Sequence, residues 1–124
     1  MKNILALDLG TTTGFAAGRA GAMVSGIWNL KPGRFDGGGM RFVKFRARLD
    51  EIAKTLPFDG VFFEEVRRHR GTDAAHVYGG LMATLTAWCE ENEIPYEGVP
   101  VGSIKSYATG KGNAGKEEMV AAAR

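Results

Sequence analysis

The sequence predicts an α/β domain, in which a mixed central sheet is flanked by helices. Two observations lead to this fold class. Short apolar runs of strand length recur along the chain, and apolar residues at helical spacing lie between the later runs but not between the first three. Strands that follow one another directly favour an antiparallel meander. Strands that alternate with helices favour a sheet on which helices pack.

The N-terminal third is predicted to form three strands. Residues 3–8 are a short apolar run that ends in Asp8, and a glycine and three threonines follow within the next residues. This pattern favours a buried strand that opens into a turn. Residues 14–18 and 22–28 are predicted to be two further strands of a meander. A flexible glycine-rich loop over residues 31–39 follows them.

The middle of the chain is predicted to alternate helices with strands. Apolar residues recur at helical spacing between Phe42 and Leu56, and Pro57 ends that helix. The apolar run at 61–64 is a fourth strand, and it ends in Glu64. Like the first strand, it therefore has an acid at the end of a buried segment.

A long helix is predicted next, with Thr72 or Asp73 as its N-cap. Its apolar stripe consists of Ala74, Tyr78, Leu81, Leu85 and Trp88. The pair Gly79-Gly80 lowers its helix propensity, which suggests that another backbone approaches the helix closely there. The remaining predicted elements are a strand at 96–99, a short helix at 103–109 and a helix that begins near Lys116.

Length and composition limit the class of protein. The chain has 124 residues, of which 44% are hydrophobic and 24% charged, so we expect residues 1–124 to form one compact domain. No apolar run approaches the roughly 20 residues of a membrane-spanning helix, and no membrane partner is expected. The apolar run after the N-terminus is too short for a signal peptide, which favours a cytoplasmic protein. The single cysteine, Cys89, excludes an internal disulfide and a cysteine-rich zinc site.

Charge is distributed unevenly along the chain, although the net charge is +2. Residues 1–49 carry eight basic and two acidic side chains, a balance of +6, whereas residues 50–100 carry four basic and ten acidic ones, a balance of −6. The densest basic stretch contains Arg41, Lys44, Arg46 and Arg48. A basic segment of this size suits a polyanion such as nucleic acid, and a solvated helix face is the alternative.

Asp8 and Glu64 are the candidate metal ligands. Each ends a buried strand, and neighbouring strands of one sheet would bring both carboxylates to the same edge. Two adjacent carboxylates in apolar surroundings repel each other and lose hydration, and a divalent cation such as Mg²⁺ relieves both costs. The alternative is structural: Asp8 caps the following turn, and Glu64 lies at a solvated strand end. Of the nearby acids, Glu65 is expected on the opposite face of the strand, and Asp73 is better explained by the start of the long helix.

The segment Asp8-Leu9-Gly10-Thr11-Thr12-Thr13-Gly14 is open to two interpretations. Glycines and hydroxyls after a strand can surround a phosphate with backbone N–H groups, and the segment resembles the first phosphate loop of actin-like ATPases and sugar kinases. It equally resembles the first hairpin of RNase H-like nucleases, in which the aspartate holds metal. The motif is compatible with both interpretations. A nucleotide-binding lobe of the ATPase type would be one of two lobes, however, and this length provides for one.

Two further stretches follow a pattern known from one nuclease family. The first contains Phe63-Glu64-Glu65-Val66, Arg70-Gly71-Thr72-Asp73-Ala74-Ala75 and Gly79-Gly80-Leu81. The second is Val101–Lys116, in which a Gly-x-Gly turn lies between Lys105 and Lys116, eleven residues apart. Together with Asp8, these stretches resemble the RuvC-type Holliday junction resolvases of the RNase H-like superfamily, over nearly the whole chain. The length and the glycine content are typical of a bacteriophage or prophage form.

The resemblance implies an RNase H-like fold and a structure-selective endonuclease, a crossover junction endodeoxyribonuclease that resolves four-way DNA junctions. Asp8 and Glu64 would be its first metal ligands, in a site for two Mg²⁺ (or Mn²⁺) ions, and Lys105 and Lys116 would complete the catalytic residues. The residues implied to bind DNA are Arg67, Arg68, Arg70, Lys105, Lys111 and Lys116. Arg67 stands where the family often has an aromatic residue that stacks on a base, and a guanidinium can stack and bind phosphate.

The resemblance also implies a homodimer, because symmetric resolution of a junction needs two cuts. The helix that carries Gly79-Gly80, with Tyr78, Leu81 and Trp88 nearby, is the candidate dimer face, and a plain core helix is the alternative.

The family carries its last acidic ligands on a C-terminal helix. No matching pair of acids occurs before Arg124, since Glu117 and Glu118 come too early. We therefore expect a chain that ends at Arg124 to fold and to bind branched DNA, yet to cut it poorly or not at all. A non-cleaving junction-binding protein is thus a third hypothesis, beside the nuclease and the nucleotide-binding lobe.

Overall fold

The computed structural model describes residues 2–66 and 71–100, which form a five-stranded sheet and two long helices. The strands are β1 (Ile4–Asp8), β2 (Thr12–Arg19), β3 (Ala22–Asn29), β4 (Gly60–Glu64) and β5 (Tyr96–Val99), and the helices are α1 (Met40–Thr55) and α2 (Thr72–Glu91). Each strand predicted over these residues is confirmed, with ends that differ by two residues or fewer. The helices predicted at 103–109 and from Lys116 lie outside the described residues.

The sheet is mixed, as the sequence predicts, with the strand order β3-β2-β1-β4-β5. β1, β2 and β3 form an antiparallel meander. β1 pairs with β4 and β4 with β5 in parallel, and α2 connects this second pair. Because parallel strands run in the same direction, the carboxyl ends of β1, β4 and β5 lie at one edge of the sheet. We call this edge the acidic edge, after Asp8 and Glu64, which end β1 and β4.

Both helices pack against one face of the sheet and form the main core with it. This core includes Leu5, Leu7, Val61 and Phe63 from the sheet, Phe45 and Leu49 from α1, and Tyr78, Leu81, Leu85 and Trp88 from α2. The Trp88 indole Nε1–H donates to the Asp50 carboxylate at 2.8 Å, which joins the two helices. A smaller cluster of buried residues lies on the other face of the sheet and consists of Ile4, Ala6, Ala16, Phe62 and Val99.

Two expectations about the start of α2 are wrong. Its N-cap is Gly71, at φ 135°, and no side chain of the described residues caps the helix. Thr72 and Asp73 are instead the first helical residues, because the left-handed backbone at Gly71 already turns the chain into the helix. Ala74 is exposed and takes no part in the apolar stripe.

The expectation about Gly79-Gly80 is also wrong. A Cβ on Gly79 would meet no atom of the described residues within 4 Å, whereas a Cβ on Gly80 would lie 2.5 Å from the Phe42 ring of α1. The group that approaches α2 closely is therefore an aromatic side chain and not a backbone. Tyr78, Leu81 and Trp88 are buried within the chain, so these three side chains belong to its core and do not form a dimer face. The use of another side of α2 in a dimer stays a prediction.

Candidate active site

Asp8 and Glu64 come together at the acidic edge. The parallel ladder of β1 and β4 pairs Leu7 with Phe63, and Asp8 and Glu64 are the next residues on the two strands. Side chains that lie opposite each other in neighbouring strands share a face of the sheet, so both carboxylates lie on the face away from the helices. The predicted juxtaposition of these acids is confirmed, and their role as metal ligands stays a prediction.

The surroundings of the two acids are mostly apolar. Glu64 is buried, with 5% of its surface exposed, and Asp8 is half-buried. Ala6 and Phe62, two residues earlier on the same face, are buried apolar neighbours. Charged carboxylates in such a place lose hydration and repel each other, so a counter-charge between them is favourable.

This donor set fits a hard divalent cation. Mg²⁺ takes oxygen ligands and is commonly bound by one or two carboxylates while it retains several waters. Within residues 2–66 and 71–100, no group of three or more histidines, cysteines and acids is placed to hold a metal. Among the described residues, the site thus contains two carboxylates, a number that suits a partly hydrated ion.

The turn after Asp8 is held by its own threonine. The buried Thr13 hydroxyl donates to the Gly10 carbonyl at 2.7 Å and accepts the Gly10 N–H at 3.4 Å. This hydroxyl therefore stabilises the turn and is not free to contact a phosphate.

Tyr78 of α2 supports the end of β4, a role that the sequence does not reveal. Its hydroxyl donates to the Glu64 carbonyl at 2.8 Å and accepts the Val66 N–H at 3.2 Å. Burial raises the pKa of the Tyr78 phenol, so it stays a hydrogen-bond donor at neutral pH. The apolar stripe predicts only that Tyr78 is a core residue, because periodicity does not distinguish a phenylalanine from a bonded tyrosine.

The rival acids occupy other places. The Glu65 side chain lies over Gly98 of β5, where a Cβ would be 2.5 Å from its Cγ. Strand alternation puts Glu65 on the opposite face from Glu64, as expected. Asp73 is in the first turn of α2, where a carboxylate complements the helix dipole.

The loop before α1 begins at the acidic edge, because the Leu30 N–H donates to the Thr11 carbonyl at 2.7 Å. The sequence predicts a flexible loop, but hydrogen bonds of 2.7 and 3.0 Å between Gly33 and Asp36 close an ordered turn. At its tip Phe35 is 93% exposed, and the Arg34 guanidinium lies 5.5 Å from the ring centre. An exposed aromatic ring beside a cation is a feature of nucleic-acid binding surfaces.

The basic residues implied by the resemblance lie outside the described residues. These are Arg67, Arg68 and Arg70 in the segment before α2, and Lys105, Lys111 and Lys116 after β5. The described residues that precede the two segments are at the acidic edge: Val66 follows β4, and Val99 pairs with Glu64. Their assignment to DNA binding stays a prediction.

Comparisons with solved structures relate this arrangement to a known fold. RuvC from Thermus thermophilus in complex with a Holliday junction substrate matches with a TM-score of 0.71 and 15% identity, over 86% of this chain and 69% of that one. A second Thermus thermophilus RuvC structure matches with a TM-score of 0.62 and 22% identity, over 94% and 74%. The chain has the fold of the RuvC resolvases.

The RuvC-like fold extends to a eukaryotic neighbour. The yeast mitochondrial Holliday junction resolvase Ydc2 matches with a TM-score of 0.56 and 10% identity, over 97% of this chain and 63% of that one. No model of a protein family matches the sequence, and no curated protein matches it. The predicted fold class, a mixed sheet of the RNase H-like type flanked by helices, is confirmed by these neighbours.

The described helices also exclude one kind of membrane attachment. Neither α1 nor α2 has the length and the apolar character that would let it cross a bilayer.

Proposed function

We propose that the chain is a divalent-metal-dependent endonuclease that cuts branched DNA, four-way junctions above all. The observation that carries the proposal is the pairing of Asp8 with Glu64 at the ends of adjacent parallel strands. Two acids so placed suit a metal that acts on phosphodiesters, and the fold is that of proteins named as junction resolvases. A similar fold does not by itself establish a nuclease activity, so the proposal depends on these two acids.

Asp8 and Glu64 are the residues that would hold Mg²⁺ or Mn²⁺. When bound, the metal supplies Lewis-acid activation of the phosphodiester and of the attacking water, in a site for two ions. The chain's own part is to fix the carboxylates. Asp8 is fixed by the ladders of β1, and Glu64 by β4 and by the hydrogen bond between its carbonyl and Tyr78.

The basic N-terminal segment supports DNA as the substrate. Residues 1–49 have a balance of +6, which attracts a polyanion and opposes the negative charge of Asp8 and Glu64. Arg34 and Phe35 offer a cation and an aromatic face on one turn at the acidic edge. We assign Lys105, Lys111, Lys116 and the arginines at 67, 68 and 70 to phosphate contacts in this proposal, and Lys105 and Lys116 to the scissile phosphate.

A homodimer follows from the same function. Two cuts related by symmetry need two active sites related by a two-fold axis. The buried stripe of α2 is excluded as the face that pairs, so the dimer must use another surface. For an enzyme of recombination and DNA repair, we expect the cytoplasm as the location.

Binding to a synthetic four-way junction tests the proposal against its alternative. We expect the chain to shift the junction in a gel at concentrations that leave a duplex of the same sequence free. Addition of ATP should not compete. Binding of ATP without affinity for branched DNA would favour the nucleotide-binding lobe and overturn the proposal.

A further inference from the structure

A cavity of about 440 Å³ lies at the acidic edge, on the helix side of the sheet. The turn after β1, the end of β4, the first turn of α1 and the first turns of α2 line it, and it is open to solvent. Most of its wall is apolar and comes from Leu9, Val66, Ala74 and Val77. Its size is in the range of cavities that hold small ligands. The pairing of Asp8 with Glu64 does not use it, since those side chains lie on the other face.

Two charged side chains, Arg41 and Asp73, also line this cavity. They form no ion pair with each other, and the ion pairs within residues 2–66 and 71–100 are Arg46–Glu91 and Arg48–Glu51. The Arg41 Nε is buried and, in the described part of the chain, has no hydrogen-bond partner. A buried donor on a charged group is costly when it is left unsatisfied. Arg41 thus lines the cavity with a charge that has no ion-pair partner among the described residues.

The residues that line the cavity favour one kind of ligand. A phosphate would meet apolar side chains and the repulsion of the Asp73 carboxylate. A nucleobase has apolar faces for Leu9 and Val77, and its edges carry both acceptors and donors. Guanine satisfies both charges, because its O6 and N7 accept a bidentate pair from an arginine. Its N1–H and amino group are then free to donate to a carboxylate.

We propose that the Arg41–Asp73 cavity receives an unpaired base of the bound DNA, with guanine preferred. This proposal rests on the proposed function, since it takes DNA as the ligand at the acidic edge. The cavity adds a means of reading sequence to a nuclease that otherwise recognises the shape of branched DNA. Arg41 and Asp73 determine specificity, and neither belongs to the metal site.

The glycines before α1 agree with a large ligand next to Arg41. Within residues 2–66 and 71–100, a Cβ on Gly37, Gly38 or Gly39 would meet nothing within 4 Å, and none of these glycines has a positive φ. Neither crowding nor backbone conformation within the chain therefore requires a glycine there. A bare backbone on this side allows a DNA strand to approach the first turn of α1 closely.

The test compares DNA duplexes that carry a one-nucleotide bulge of guanine, adenine, cytosine, thymine or an abasic residue. Dissociation constants for the full chain are measured by fluorescence anisotropy at one salt concentration. We expect the guanine bulge to bind more tightly than the abasic one by about 5- to 150-fold, the range for a bidentate arginine contact. Arg41→Gln and Asp73→Asn should each remove the preference, so that the guanine and abasic duplexes bind with equal affinity.

Arg48→Gln is the matched control. Arg48 is on the same helix, is exposed, and has Glu51 at 3.8 Å as its ion-pair partner. It should retain the preference for guanine. Arg41→Lys is the second variant, because it keeps the charge but loses the planar fork of donors, and it should lose the preference while it stays folded by circular dichroism.

Equal affinities of the wild-type chain for all five bulges would overturn the inference. It would also be overturned if Arg41→Gln weakened every duplex equally and lowered the salt slope by about 0.9, since Arg41 would then bind a phosphate. Cleavage of four-way junctions without base preference would contradict this inference and leave the proposed function intact. The opposite case is also distinguishable. If the chain never cuts DNA but shows a guanine preference that Arg41→Gln removes, the proposed nuclease function is contradicted and this inference holds.

Discussion

The Tyr78 hydroxyl forms two hydrogen bonds at the end of β4: it donates to the Glu64 carbonyl at 2.8 Å and accepts the Val66 N–H at 3.2 Å. These bonds connect the second turn of α2 to the strand that carries Glu64. They tie the helix that packs on the core to one of the two acids at the acidic edge. These hydrogen bonds therefore join the core to the candidate active site.

Tyr78→Phe should lower the free energy of unfolding by about 1–2 kcal/mol, because a buried carbonyl and a buried N–H lose their partner. Cleavage should fall more than DNA affinity, because Glu64 loses a support and the DNA surface does not. Urea denaturation and junction cleavage measure the two effects. Tyr96→Phe is the control: its exposed hydroxyl bonds to Glu90 at 2.7 Å, and its removal should change stability by about 0.5 kcal/mol or less. Equal effects of the two substitutions would show that Tyr78 supports nothing.

The two glycines in α2 should respond oppositely to alanine. Gly79→Ala should stabilise the fold by up to about 1 kcal/mol, because helix propensity rises and the new Cβ meets no atom of the described residues within 4 Å. Gly80→Ala puts a Cβ 2.5 Å from the Phe42 ring and should be less stable than Gly79→Ala by about 1 kcal/mol or more. Thermal unfolding measures both. Phe42→Leu should rescue Gly80→Ala, and equal stabilities of the two alanine variants would contradict this packing.

Much of the fold is predictable because it depends on local patterns. The apolar runs that end in Asp8 and Glu64 predict both central strands, and the helical spacing from Phe42 predicts α1. The sequence predicts that these two strands are neighbours in one sheet, and their parallel pairing is a finding of the structure. The same reasoning brings the two acids to one edge of the sheet.

The rest depends on contacts between distant parts of the chain, which periodicity does not contain. The partner of Gly80 is Phe42 on another helix, and Tyr78 is bonded to Glu64 fourteen positions earlier. The sequence shows Arg41 only as part of a basic run, whereas its importance depends on a cavity formed by four separate segments of the chain. The ordered turn under Phe35 depends on the Asp36 side chain, in a segment whose glycines predict flexibility.

Phe35 should contribute to DNA binding and not to folding. With 93% of its surface exposed, Phe35→Ala should leave the stability nearly unchanged. Removal of a base-stacking ring costs about 1–3 kcal/mol, so affinity for branched DNA should fall by about 5- to 150-fold. Anisotropy with a four-way junction measures it, and Phe35→Trp should retain binding. Val43→Ala, which removes another exposed apolar side chain, is the control. If both alanine variants bind alike, Phe35 does not stack on a base.

Lys105 and Lys116 should account for part of the salt dependence of binding. Removal of one lysine–phosphate interaction should reduce the slope of log K against log salt by about 0.9, so Lys105→Ala and Lys116→Ala should give weaker binding with shallower slopes on any junction sequence. Lys54→Ala, in the last turn of α1, is the control and should leave the slope unchanged. An unchanged slope in the double variant of Lys105 and Lys116 would remove both lysines from the DNA interface.

The most direct test of the central claim is cleavage of an end-labelled four-way junction in Mg²⁺, at protein concentrations that saturate the DNA. The wild-type chain is compared with Asp8→Asn and Glu64→Gln, which keep the shape of the side chains but lose the charge that holds a cation. Glu65→Gln is the control, because its side chain lies over Gly98 and away from the paired acids. We predict paired nicks in opposite strands for the wild type and for Glu65→Gln, however slow, and none for Asp8→Asn or Glu64→Gln at equal binding. A wild type without nicks above the metal-free background, or either of those two variants cutting at the wild-type rate, would contradict the account.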